Sequence, residues 1–167
     1  SRESLVRRAR PDATLRVVGR IDERRADELR AFPGVIVTGE VPSIPDAVAA
    51  SAIGLAPLRI GAGVQNKVLE YAALGLPVVT TPLALEGLGA VPGRDLLVAE
   101  TAQQQADAVL ALLDAPERAD ELAAAGRRYV ERSHDWGVLQ EPELLRQIMA
   151  EVRRAVPLHI PVTAKMR

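Results

Sequence analysis

Short apolar runs rich in β-branched residues alternate with amphipathic stretches of helical period, and that order leaves the chain few folds to adopt. Residues 15–18 (Leu15, Arg16, Val17, Val18) read as a strand closing on Gly19. Residues 35–38 read as a second strand, stopped by Gly39, and 53–56 as a third, running into Pro57. The clearest is 77–81, an uninterrupted Pro-Val-Val-Thr-Thr run suited to burial on both faces. Residues 96–98 make a last short strand. Between them the helical pattern covers 2–9, 22–30 with Asp22 as N-cap, a segment opened by Ser43 with Pro45 in its first turn, and 64–73 ending at Gly75. Beyond Thr101 the pattern is almost wholly helical: 103–113, 116 to about 131, and 143–156. The expected fold class is α/β, with one parallel sheet flanked by helices. The tail, 157–167, holds two prolines and little periodicity, and is expected to be extended or disordered.

Composition narrows the function classes. The chain has 167 residues, enough for one ordinary domain with a core. Lysine and arginine number 21 against 22 acidic residues, so no basic surface for nucleic acid is expected. Cysteine is absent, which excludes disulfides and thiolate metal sites and fits a reducing compartment. No apolar run approaches the roughly 20 residues that span a bilayer. The start is charged throughout, unlike a signal peptide, and Ser1 stands where an initiator methionine would, so a fragment of a longer chain is expected.

The stretch with chemical content is 56–81, APLRIGAGVQNKVLEYAALGLPVVTT. A strand ends at Ala56, a loop carries Gly61 and Gly63, and a helix begins at once. Ligands of open α/β sheets bind outside the carboxyl ends of strands, where this loop falls. Two glycines let backbone amides approach a bulky anion, and a helix N-terminus adds unpaired N–H groups and partial positive charge. Lys67 lies in the first turn, and Glu70 is on the same helix face three residues on. A cation for phosphate beside a carboxylate for sugar hydroxyls suits a nucleotide. The same residues also fit a tight turn and an exposed i,i+3 ion pair. They support an anion site without naming a reaction.

The run P-L-R-x-G-A-G-V-x-x-K-V-L-E-Y-A-A-L-G-L-P-V-V-T-T, followed by Glu86, Gly87 and Leu88 and then by Gly93 through Val98, resembles the donor domain of family 4 retaining glycosyltransferases. The resemblance continues through Leu15 to Gly19, Val37 to Val41, and the helices leading to His134, Asp135 and Trp136, covering roughly residues 10–150. It implies a Rossmann-like domain over 1–156, N-terminally incomplete and forming one half of a GT-B fold. It also implies a nucleotide-diphosphate sugar as donor. The donor would bind along Gly61, Ala62, Gly63, Val64, Gln65, Asn66 and Lys67. Amides around Gln65, Asn66 and Lys67 would meet the diphosphate, with Lys67 as leaving-group stabiliser, and Glu70 would hold the ribose hydroxyls. Val41 would lie against the base, and Glu86 would join the donor site. No metal and no other cofactor are implied, and no Asp-x-Asp pair occurs.

Two departures qualify the resemblance. Ala62 stands eight residues before Glu70, where many members carry the first glutamate of a pair; a branch with the G-x-G-x-x-x-K pattern also lacks it. The usual opening strand with its basic loop is not present, and neither is the acceptor-binding N-terminal domain of the same enzyme. The implied partners are therefore the donor and that missing domain, with membrane contact only through the missing half. The implied location is cytoplasmic, with the inner membrane surface left open for the full-length protein. The implied activity is sugar transfer for polysaccharide or glycoconjugate synthesis, with the fragment inactive alone. Two readings stand beside it: a non-catalytic nucleotide- or anion-binding module, and a GT-B-fold sugar-nucleotide epimerase. A dinucleotide-binding dehydrogenase is disfavoured because G-x-G-x-x-G is missing after the first strand. Arg20 and Arg59 read as loop charges near a ligand edge, Thr80 and Thr81 as strand and turn residues, and His134 and Trp136 as packing and capping groups. His159, in the tail, carries no functional reading.

Overall fold

Small hydroxyl and carboxylate side chains fix most helix starts, as the sequence leads one to expect. The computed structural model describes residues 4–59 and 66–133. Ser4 caps α1 (Leu5–Ala9) by accepting from the Arg7 N–H at 3.2 Å, and Asp22 caps α2 (Glu23–Arg30) from Arg25 at 3.1 Å. Ser43 caps α3 (Ile44–Val48), with Pro45 in the first turn. The last two helices are α6 (Ala102–Asp114) and α7 (Pro116–Ser133). At α6, Thr101 and Gln104 cap one another's backbone reciprocally, satisfying donors that a helix start leaves unpaired. Between these lie α4 (Asn66–Ala73) and the four-residue α5 (Pro82–Leu85). Gly75, at φ +76°, ends α4: its N–H bonds Ala72 O and the Leu76 N–H bonds Tyr71 O, both at 3.0 Å.

The strands are β1 (Leu15–Val18), β2 (Val35–Gly39), β3 (Gly54–Ala56), β4 (Val78–Thr80) and β5 (Leu97–Val98). All described pairings are parallel. One sheet was expected; the described strands form two, β1-β2 and β3-β4-β5, because none of them pairs with both β1 and β3. The chain divides into two compact units at Val130 and Glu131, and both sheets belong to the first. Of the second, residues 131–133 are described. The expected helix at 143–156 and the tail at 157–167 lie outside the described residues.

The core lies over the three-stranded sheet. Val79, Ala99, Leu112 and Leu122 form a buried cluster, with Ile53, Leu55, Leu97 and Val109 packed against it. These are the small aliphatic side chains that seat helices closely on a parallel sheet. Helix α4 packs on β3 and β4 and buries Val68, Leu69 and Ala72. Its Tyr71 lies so close to Gly54 that a Cβ there would meet the Tyr71 Cγ at 2.7 Å, so β3 needs glycine at that point. The two-stranded sheet is covered on β2 by α2, through the fully buried Ala26, yet Leu15, Phe32 and Ile36 stay exposed. Helix α1 packs on α6, where Arg10 pairs with Asp114, and α6 packs on β4.

Candidate functional site

The site is built where β3 and β4 end. Because β3 and β4 are parallel neighbours, the chain must cross back between them, so α4 runs opposite to both strands and starts at their carboxyl ends. Pro57, Leu58 and Arg59 leave β3 toward the glycine loop. Residues 60–65, among them the expected Gly61, Ala62, Gly63, Val64 and Gln65, lie outside the described residues. The chain resumes with Asn66 and Lys67 as the first two residues of α4, both exposed, and Glu70 half-buried in the same helix. Among the described residues neither Lys67 nor Glu70 has an ion-pair partner, so the i,i+3 pair considered above does not form. A lysine in the first turn is set against the helix dipole, which favours anions there. That placement suits a bound anion better than it suits the helix alone.

Behind Glu70 the Tyr71 phenol is pushed above its ordinary value near 10.0, first by burial and then by the Glu70 charge. A raised acid stabilises the fold fully below the ordinary value and loses that contribution as pH climbs past it. The phenol therefore stays neutral throughout the neutral range.

Two hydroxyls at the end of β4 hold the exit of β3. Thr80 Oγ1 donates to the Ala56 carbonyl at 2.9 Å, and Thr81 Oγ1 donates to the Leu58 carbonyl at 2.7 Å. Both threonines are buried, so each hydroxyl finds its partner on the β3 exit rather than in water. In sequence these threonines read as strand and turn residues, and the two bonds do not show. The available signal was two hydroxyl residues closing a β-branched strand beside a parallel partner. Thr81→Val keeps the shape and removes the donor. It is expected to cost about 1 kcal/mol, seen as a fall of roughly 2–4 °C in the unfolding midpoint for a chain of this size. Thr81→Ser should restore most of the loss; an unchanged midpoint in the valine variant would remove the bond from the account.

The remaining candidates are spread out. Glu86 ends α5, exposed, and is followed by Gly87 at φ +82°. Val41 is half-buried beyond Gly39 in the two-stranded sheet. Arg20 and Glu40 pair at 3.2 Å beside it with both side chains mostly exposed, so Arg20 is already engaged. Arg59 is exposed, while His134, Trp136 and His159 lie outside the described residues. The structure thus brings Asn66, Lys67 and Glu70 together on α4. No described hydrogen bond or ion pair joins Val41 or Glu86 to them. Among the described residues, no three His, Cys, Asp or Glu side chains cluster as metal ligands would.

A parallel α/β unit with a helix start and strand-exit loops on one sheet edge belongs to the class that takes ligands at the carboxyl ends of its strands. Residues 3–115 match the family Glycosyl transferases group 1, and the chain belongs to that family. Its fold is similar to the C-terminal domain of a group 1 glycosyl transferase, LpcC, from Francisella tularensis. The two are 20% identical with a TM-score of 0.69, over 79% of this chain and 75% of that one. It is also similar to HepE of Anabaena solved with UDP, at 18% identity and a TM-score of 0.65, over 87% of this chain and 42% of that one. At such identities the likeness is one of fold. Among curated sequences, the tRNA-dihydrouridine(16) synthase of Pseudomonas syringae pv. tomato is 41% identical over 88 residues, 52% of this chain and 25% of the synthase. That of Pseudomonas putida is 70% identical over 30 residues, 18% of this chain and 9% of the synthase. The chain spans a quarter or less of the curated relatives it matches, and the likeness to them is local.

Proposed function

We propose that the chain is the donor-binding part of a glycosyltransferase that moves a sugar from a nucleotide-diphosphate sugar to an acceptor held by another domain. One observation carries this reading: in a chain of the glycosyl transferase group 1 family, Asn66 and Lys67 open α4 at the carboxyl ends of β3 and β4. Lys67 there has no described ion-pair partner. In the transfer, negative charge grows on the diphosphate as its bond to the anomeric carbon breaks. Lys67 and the amides at the start of α4 stabilise that charge electrostatically, already in place before the reaction begins. Glu70 accepts hydrogen bonds from the ribose hydroxyls, Val41 meets the base, and Glu86 faces the sugar side. Retention of anomeric configuration, independence of metal and a cytoplasmic location belong to the proposal on the family resemblance. UDP is the first nucleotide to try, since HepE was solved with it.

Calorimetric titration with UDP and with GDP tests the reading. One nucleotide is expected to bind, and Lys67→Ala and Glu70→Ala are each expected to weaken it about tenfold or more, the scale of one hydrogen bond to a charged group. Binding that survives both substitutions moves the site elsewhere. Sugar transfer by the chain alone would overturn the need for a second domain.

A further inference from the structure

Leu58 is held more firmly than an ordinary loop residue. Beyond the end of β3 the chain turns at Pro57, whose ring fixes φ at about −65°. The Leu58 N–H donates back to the Ala56 carbonyl at 2.9 Å, closing a three-residue turn that such a φ suits. The Leu58 carbonyl accepts from Thr81 Oγ1 at 2.7 Å. Both backbone groups of Leu58 are therefore engaged, although it belongs to no strand or helix. Surface loops are ordinarily freer than this. The Ala56 carbonyl takes a second bond, from Thr80 Oγ1 at 2.9 Å, so the turn is tied to β4 on both sides of Pro57.

Thr81 makes its bond instead of serving its own helix. At the starts of α1, α2, α3 and α6, the side chains of Ser4, Asp22, Ser43 and Thr101 each accept from a backbone N–H of the helix they open. That is the usual work of such a residue. Thr81 opens α5 and makes no such bond. Its hydroxyl goes to a carbonyl 23 residues back in the chain.

What this clamp fixes is the departure of Arg59. Of the two arginines that read as loop charges near a ligand edge, Arg20 pairs with Glu40 at 3.2 Å. Arg59 is exposed and takes part in no described ion pair. Residues 60–65 separate it from Asn66, so Arg59 precedes the glycine loop and Lys67 follows it. Arg59 leaves the carboxyl end of β3, the edge at which α4 begins. A diphosphate carries more charge than one lysine neutralises. The planar fork of an arginine matches two phosphate oxygens at once, and a backbone already fixed has less freedom to lose on binding.

We propose that Arg59 is a second cation for the diphosphate, and that Thr81 is its positioning residue, acting through the Leu58 carbonyl. The inference rests on the reading of the start of α4 as a nucleotide-diphosphate site, and adds to that site a residue from the β3 side.

Calorimetric titration of the 167-residue chain with UDP and with GDP, below the unfolding transition, tests it. For the nucleotide that binds, Arg59→Ala is expected to weaken affinity about tenfold. Thr81→Val is expected to weaken it about fivefold, and Thr81→Ser to bring it back within about twofold of the parent. In the Arg59→Ala background, Thr81→Val should change affinity by less than about twofold, because the group it positions is gone. Leu122→Met, a core change of modest effect on stability, should leave affinity unchanged and so separates positioning from a general loss of stability. Parent affinity in Arg59→Ala or in Thr81→Val, while Lys67→Ala still weakens binding, overturns this proposal and leaves the donor site standing. An equal loss from Thr81→Val in both backgrounds overturns it too. Binding of neither nucleotide, or binding indifferent to Lys67→Ala as well, overturns the donor reading and this inference with it.

Discussion

Asp95→Ala is expected to lower the unfolding midpoint by about 4–12 °C, following from a loss of roughly 2–3 kcal/mol at about 2–4 °C per kcal/mol. Asp95 is 2% exposed. Its carboxylate accepts from the Val91 N–H at 2.9 Å and from Arg94 Nε and Nη2, each at 2.8 Å. Removing it leaves the Val91 N–H without its acceptor and a hole in the turn that leads into β5. The Arg94 side chain is 59% exposed and regains water, so the loss stays below that of a fully buried ion pair. The turn cannot settle freely into the hole. It is pressed against α7 so tightly that a Cβ on Gly126 would come within 2.7 Å of the Asp95 carbonyl oxygen. Asp95→Asn keeps an acceptor for Val91 and should lose about half as much. Thermal unfolding followed by circular dichroism decides it, and a fall of under about 2 °C for the alanine variant would mean that water takes over these bonds at little cost.

Local rules wrote much of this fold into the sequence. The Asp22 and Ser43 caps and the Gly75 stop stand where the sequence placed them, because each depends on one side chain and its own neighbouring backbone. The β-branched run at 77–81 became β4, buried at every position, though the strand stops at Thr80, with Thr81 at the start of α5 and its hydroxyl given to the Leu58 carbonyl. Helix α5 itself was not legible. Its four residues are too few to show a period, and Pro82 after a β-branched run reads as a break rather than a first turn. The division into two sheets was not legible either. Which strands pair is set by contacts distant in sequence, and no residue in β1 or β3 announces that the two do not pair with one another.

At the site, the sequence identified the helix start and missed what supports it. Lys67 and Glu70 stood out because a charged pair follows a glycine loop within one helical turn, a spacing visible in one dimension. The Thr80 and Thr81 bonds span 24 and 23 residues, and only the parallel register of β3 on β4 brings those hydroxyls to Ala56 and Leu58. Glu86 and Val41 rest on the family resemblance, since no local pattern ties either of them to the start of α4.

The other large effect concerns the core under that support. Leu122→Ala is expected to cost about 3–4 kcal/mol, the sum of lost transfer free energy and the cavity left behind. The midpoint should fall by roughly 6–16 °C. Leu122 is completely buried and clusters with Val79, Ala99 and Leu112, drawn from β4, the segment after β5, and α6. The cluster neighbours are aliphatic and held by their own strands and helices, so little collapse is available. Leu122→Met, which nearly preserves volume, should cost less than about 1.5 kcal/mol. The site should feel this change weakly. Helix α4 packs on β3 and β4, and the threonine bonds lie at the strand end, one residue beyond Val79 and further. Below the unfolding transition, the nucleotide affinity of Leu122→Ala is therefore expected to stay within about twofold of the parent, in contrast to the tenfold losses expected at Lys67 and Glu70. An affinity that falls together with stability would show that the start of α4 is held in place by the core cluster rather than by the β3 and β4 exits.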